Sequence, residues 1–252
     1  MMNNLVIHKP VVMCNSYKLI PDVSALDKIG AGHDGIVYRY DDLVFKVLKY
    51  DIDIRKTKDL MTFEKATYFV NNLHLNRIAQ PIDTLLDSDG VYTGYVMKFF
   101  DDVTKDKNSP YYQTTGEFLM RDMLRSVNEL EEDVSQLSSN KVFIDDLNRG
   151  SYIYTKDHMI MCDMDKFHVV QSSKNPSDHN RSALNFFISK SLYYEMEKSG
   201  LFTKNELKEL IHWVKKSSNS IGYLKEIRRD CMSDPNYPIG EYAREKGKIL
   251  VR

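Results

Sequence analysis

A run of three glycines, a strand lysine and four carboxylates hold the chemistry this sequence can offer. Gly30-Ala31-Gly32-His33-Asp34-Gly35-Ile36-Val37 fits the spacing G-x-G-x-x-G-x-V. Glycines so spaced let backbone N–H groups come close to phosphate oxygens, although the same residues also suit a flexible turn before a strand. A dinucleotide-binding turn opens a helix after its last glycine. Here Ile36 to Tyr40 is β-branched and aromatic, so it reads as a strand. Lys46 lies inside the next apolar run, Val44-Phe45-Lys46-Val47, as a solvated side chain or as a cation held for an anion. Glu64 follows on a helical segment; it suits a pairing role or the surface, and Asp59 competes with it. Farther on, Val142-Phe143-Ile144-Asp145-Asp146-Leu147 leads through a polar loop to Ser151, then to Met159-Ile160-Met161-Cys162-Asp163-Met164-Asp165. That order is strand, polar loop, short strand, turn, strand, carboxylate.

These residues need elements to hold them. Leu43 to Leu48 and Ile36 to Tyr40 flank Asp41-Asp42, which predicts a tight hairpin. Leu60, Phe63, Ala66, Thr67 and Val70 recur at helical steps within 56–72. Ile82 to Leu86, a turn at Asp87-Ser88-Asp89-Gly90, and Tyr92 to Phe100 predict a second hairpin. Near the start, LVIHKPVVM reads as a short strand that Pro10 confines to an edge or a bend. The charged stretch 100–110 reads as a linker. Beyond it, a Thr114/Glu117 capping box and the stripe Phe118, Met120, Leu124, Val127, Leu130 and Val134 predict a helix to about 137. Short strands over 142–170 precede helices at Ala183–Lys198 and Thr203–Lys216, the latter opening with a Thr203/Glu206 box. Weaker helical patterns lie around 221–230 and 240–246.

Composition narrows the field. The 252 residues carry 35 Lys plus Arg against 36 Asp plus Glu, a net charge of −1, so no nucleic-acid footprint is visible. Cys14, Cys162 and Cys231 are too scattered for a disulfide framework or zinc knuckle, which points to a reducing, cytoplasmic setting. No apolar window is long enough for a membrane helix, and the N-terminus lacks the pattern of a secretory signal. The seven histidines include no H-x-x-x-H spacing, so a metalloprotease has no support.

Taken in chain order, these motifs resemble the eukaryotic-type protein kinase superfamily, including its compact bacterial members and aminoglycoside-phosphotransferase-like relatives. The resemblance spans roughly 26–170. It implies an α+β, two-lobed protein-kinase-like fold: a small β-rich N-lobe over 1–98, a helical C-lobe over 99–252, and ATP in the cleft. It implies that Gly30, Gly32, Gly35 and Val37 cover the nucleotide, and that Lys46 reaches the α- and β-phosphates while pairing with Glu64. Met97 to Phe99 resembles the hinge that meets the adenine, with Met97 as gatekeeper. Asp146 resembles the catalytic-loop aspartate, Asp163 the first residue of D-F-G, which holds Mg²⁺ (Mn²⁺ is an alternative), and Ser151 the second metal ligand. Several positions depart from the pattern. Ile144-Asp145 replaces His-Arg, Ser151 replaces asparagine, and Asp165 replaces glycine, either adding a metal ligand or standing as a solvated loop residue. No A-P-E motif follows, and only a short segment separates Asp163 from the helix expected at Ala183. The expected activity is transfer of the γ-phosphoryl group to a hydroxyl, with a protein Ser/Thr favoured as acceptor. The alternatives are a pseudokinase or nucleotide-sensing scaffold, or a small-molecule kinase of antibiotic-phosphotransferase type.

Overall fold

Two acidic residues do close a hairpin. Strand β4 (Gly35–Tyr40) turns at Asp41-Asp42 into β5 (Leu43–Leu48), pairing Tyr40 with Leu43 and Val37 with Lys46. Asp41 takes a left-handed φ of 54°, the conformation that a glycine supplies in the favoured version of this turn. The computed structural model describes residues 11–13, 19–20, 23–32, 34–49, 61–100, 119–147, 151–155, 157–170, 175–209, 238 and 241. Within these the architecture is mixed α+β, and it divides into two compact units.

The first unit comprises the described residues up to His74, Ala79–Phe100 and Met164–Val169. Its framework is an antiparallel sheet that also includes β1 (Val11–Met13), β2 (Leu19–Ile20), β3 (Asp27–Ala31), β6 (Pro81–Asp87) and β7 (Tyr92–Lys98). The strand order is β2-β1-β6-β7-β5-β4-β3. Strand β1 is paired on both sides, so the expected edge position is corrected. Pro10, and with it the alternative of a bend, lies outside the described residues. The second hairpin closes as expected. Asp87 Oδ1 accepts from the N–H groups of Asp89 and Val91, each at 2.9 Å, and Gly90 takes φ 76°.

One face of this sheet carries the apolar core: Met13, Val23, Tyr38, Phe45, Val47, Leu85 and Val96. Alternation along β5 therefore turns Lys46 to the opposite face. Helix α1 (Phe63–Asn72) starts at Thr62, whose side chain accepts from Lys65 N at 3.3 Å. It buries Ala66 and Phe69, with Leu73 just beyond its end. The expected stripe is thus rotated: Phe63 is 41% exposed, resting edge-on against Tyr92.

The second unit comprises Leu75–Ile78, the described residues between Asp101 and Asp163, and those from Val170 onward. Helix α2 (Met120–Ser139) buries Met120, Met123, Val127, Leu130, Val134 and Leu137, with Met123 in the place expected for Leu124. It opens at Leu119 without a side-chain cap, so a Thr114/Glu117 box does not start it; those two residues lie outside the described set. After β8 (Val142–Phe143), β9 (Tyr152–Tyr154) and β10 (Met159–Met161) form an antiparallel ribbon. Helix α3 (Ser177–Ser199) starts ahead of the expected Ala183 and stops at Gly200, φ 69°. Two side chains of its early turns, His179 and Asn180, bond to the backbone of the segment 142–144. The Thr203/Glu206 box is reciprocal. Thr203 N donates to Glu206 Oε2 at 2.7 Å, and Glu206 N donates to Thr203 Oγ1 at 3.3 Å. The linker 101–110 and the patterns around 221–230 and 240–246 fall outside the described residues, apart from Glu241.

Candidate functional site

The glycine-rich segment is a hairpin. Gly30 pairs with Val37 and Ala31 with Ile36, and Gly32 N donates to Gly35 O at 2.9 Å. Its last glycine opens a strand, as expected, and not the helix of a dinucleotide-binding turn. The three glycines do different work. A Cβ on Gly35 would stand 2.7 Å from the Val47 carbonyl oxygen, so the sheet itself requires glycine there. A Cβ on Gly32 would meet nothing within 4 Å, and one on Gly30 only ordinary contact with Val37. Packing within the described residues thus accounts for Gly35 and leaves Gly30 and Gly32 for another purpose. Lys49 adds a cation at the turn, its Nζ donating to Gly32 O at 2.6 Å.

From Gly30 a single cross-strand row crosses the sheet: Gly30, Val37, Lys46, Tyr95 and Thr84. Directly paired residues point to one face, so Val37, Lys46 and Tyr95 share the face away from the apolar core. Met97, two positions beyond Tyr95, is half-buried on the same face. Gly94, not singled out from the sequence, lets β7 approach β5; a Cβ there would collide with the Lys46 carbonyl oxygen.

Lys46 meets Asp165, and here the expected Lys46–Glu64 pair is corrected. Lys46 Nζ forms an ion pair with Asp165 Oδ2, the side chains being 13% and 2% exposed. Tyr95 donates its hydroxyl to Asp165 Oδ1 at 2.6 Å, and Lys65 Nζ donates to the Asp165 backbone oxygen. Asp165 is therefore a buried anchor and not a solvated loop residue. Glu64 is exposed in the first turn of α1, where the helix N-terminus favours an acid. The next residue along, Lys65, is the one that turns toward Asp165. Burial, followed by the negative charges of Asp165 and Glu64, pushes the Tyr92 phenol well above its ordinary pKa.

Phe99 also departs from expectation. Its N–H donates to Asp42 O at 2.8 Å, and the Arg39 guanidinium lies 3.9 Å above its ring. That N–H is already used within the sheet, so it is not free to meet an adenine.

In the second unit, the ribbon pairs Tyr152 with Met161, and Cys162 N donates to Ser151 O at 2.9 Å. This sets Ser151 and Asp163 at the same end of β9–β10. Ser151 is fully buried, whereas Asp163 is partly exposed and Asp146 exposed. Asp146 and Asp163 both hold left-handed backbone, at φ 53° and 70°. Among the described residues the only other non-glycine examples are Asp41, in its hairpin, and Lys141, just after α2. Neither Asp146 nor Asp163 closes a hairpin or ends an α-helix. Strain of this sort, about 1–3 kcal/mol per residue, gathers at functional sites.

Two consecutive side chains of α3 hold the segment that leads to Asp146. Asn180 accepts from Ile144 N at 2.9 Å and donates to Val142 O at 2.8 Å and Ser138 Oγ at 3.0 Å. His179 Nε2 donates to Ile144 O at 2.9 Å and lies 3.4 Å from Asp145 Oδ1. Neither residue was singled out from the sequence. The available signal was spacing: Asn180 falls on the buried side of α3 with Leu184, Phe187, Ile188 and Ser191. A polar residue in register with a buried stripe has a bonding duty.

No group of three or more His, Cys, Asp or Glu side chains among the described residues forms a metal cluster. Mg²⁺ sites commonly use one or two carboxylates plus substrate phosphates, a demand that the oxygen donors Asp163 and Ser151 suit in kind. Pro238 bridges to Leu119 and is remote in sequence from these residues. No protein-family model matches the chain, and no curated protein matches it.

Proposed function

We propose that this chain is an ATP-dependent phosphotransferase that passes the γ-phosphoryl group to a hydroxyl, resembling protein kinases in the arrangement of its motifs. The observation that carries the reading is the pair Asp146 and Asp163. Both were singled out by residue type and order, and both hold a strained backbone that no hairpin or α-helix end explains. Support comes from Gly30 and Gly32, where an added Cβ would meet no tight contact among the described residues. Further support is Lys46, largely covered on the sheet face that it shares with Val37 and Met97.

On this reading the glycine hairpin directs backbone N–H groups at phosphate oxygens, and Lys46 holds the α- and β-phosphates. Asp146 accepts the proton of the acceptor hydroxyl, whose oxygen bonds to the γ-phosphorus as the bond to the β-phosphate oxygen breaks and ADP leaves. Mg²⁺, or Mn²⁺ in its place, neutralises phosphate charge when bound. Asp163 is the residue offered to hold it, with Ser151 a second oxygen donor. Both Asp165 oxygens already face a donor, so that residue is withdrawn as a metal ligand.

The acceptor reading shifts toward a small molecule. Helix α3 begins at Ser177, which leaves only the segment 166–176 between it and Asp165. That is little chain on which to dock a polypeptide.

Two substitutions test the division of labour. Asp163→Asn is expected to abolish the Mg·ATP-induced rise in Tm together with turnover, because an amide is a poorer ligand than a carboxylate. Asp146→Asn is expected to keep most of that rise, which reflects a stabilisation of about 2.7 kcal/mol at a hundredfold excess of ligand over Kd. Its turnover should fall by roughly 10²–10⁴. Equal turnover in Asp146→Asn and wild type would remove Asp146 from the reaction.

A further inference from the structure

We infer that Asp165 is the residue that positions Lys46 for the nucleotide, in the place that Glu64 was expected to fill; this rests on the phosphotransferase reading. Lys46 has a flexible four-carbon stem, so a lysine that must meet phosphates in one place needs a fixed counter-charge. Asp165 is fixed at three points. Its Oδ2 meets Lys46 from β5, its Oδ1 accepts from Tyr95 on β7 at 2.6 Å, and its backbone oxygen accepts from Lys65 on α1. Lys46 and Tyr95 are direct cross-strand partners. Their polar tips leave the sheet side by side and converge on one carboxylate, which is 1% exposed. Glu64 sits on the exposed side of α1, and the α1 residue that reaches Asp165 is a lysine. A glycine at 165 could not do this, and a metal-ligand role would compete with donors already present on both oxygens.

The test combines two readouts on the full chain. The first is the reactivity of Lys46 toward a small amine-acylating reagent, read by peptide mass spectrometry without nucleotide. Asp165→Asn is expected to speed modification of Lys46 at least fivefold, and Tyr95→Phe about twofold, whereas Glu64→Gln matches wild type. Tyr95→Phe removes only the phenol oxygen, so it keeps the test open should Asp165→Asn fail to fold. The second readout is ATP affinity by calorimetry, in Mg²⁺ and in EDTA. Asp165→Asn is expected to weaken binding about tenfold in both, and to add nothing in a Lys46→Ala background, as coupled residues do.

Loss of affinity in Mg²⁺ alone would make Asp165 a metal ligand and overturn the proposal. Tighter binding by Asp165→Asn would make it a block on Lys46, with the same consequence. Faster labelling and weaker binding in Glu64→Gln would return the role to the helix glutamate. If wild type binds no ATP while the labelling pattern holds, the phosphotransferase reading fails and the positioning role falls with it, yet the ion pair stands.

Discussion

A single methyl group separates the structural glycine of the hairpin, Gly35, from the other two. Gly35→Ala forces a Cβ to within 2.7 Å of a backbone oxygen, and the backbone must shift to relieve it. A loss of about 2 kcal/mol or more in urea unfolding is expected, as for other overpacked sites. Gly32→Ala places its Cβ in open space, so stability should stay within about 0.5 kcal/mol of wild type or rise slightly. ATP affinity should nonetheless fall severalfold, because on the proposed reading the methyl occupies room for phosphate. Unchanged ATP affinity in Gly32→Ala would show that this turn is only a turn. At this scale the sequence was informative about residue type and poor about partners. Lys46 is recognisable as a charge in an apolar strand, but its partner lies 119 positions away, and no local spacing selects Asp165 over Glu64. Phe99 is the same case: its N–H goes to Asp42 beside the pairing of β5 with β7, two strands far apart in sequence whose pairing no local spacing selects.

Secondary elements were legible at several turns and caps that local chemistry sets, although the Thr114/Glu117 box does not start α2. Asp41-Asp42, Asp87 to Gly90 and Thr203/Glu206 each satisfy their own backbone within a few residues, and each is found where its turn or cap residues predict. Helix α3 shows what locality cannot supply. The sequence pattern opens this helix at Ala183, after the polar residues of its first turns, yet Asn180 among them is fully buried and bonds to backbone near residues 142–144. Asn180→Ala would strip partners from a buried N–H and a buried C=O, at a cost on the order of 2–4 kcal/mol. Thermal or urea unfolding measures that cost. Turnover at a temperature where the variant remains folded should also drop, since Ile144 is next but one to Asp146. Asp133 performs a similar task on α2, its carboxylate accepting from Asn76 N and Arg77 N. Burial raises its pKa and these N–H groups oppose the rise.

At the scale of the whole molecule, three phenols among the described residues link both units to pH. Burial is the first cause that raises Tyr92 in the first unit and Tyr152 and Tyr154 in the second, above the ordinary value of 10.0. Nearby negative charge adds to it: Asp165 and Glu64 for Tyr92, and Glu195 for Tyr154. A group whose folded pKa lies above its unfolded one stabilises fully below the unfolded value and loses that contribution as pH rises past it. Stability should therefore fall above pH 10 by about 1.4 kcal/mol per pH unit for each of these groups. Chemical denaturation at pH 9, 10 and 11 measures the slope, and stability that holds level to pH 11 would contradict the burial of these phenols. The measurement that bears most directly on the proposed reaction is incubation of the purified chain with γ-labelled ATP and Mg²⁺, alone and with candidate hydroxyl acceptors. The account predicts labelled product or labelled protein from wild type, and none from Asp163→Asn. Wild type that binds Mg·ATP yet transfers no label to itself, to small hydroxyl compounds or to any cell-extract component would contradict it.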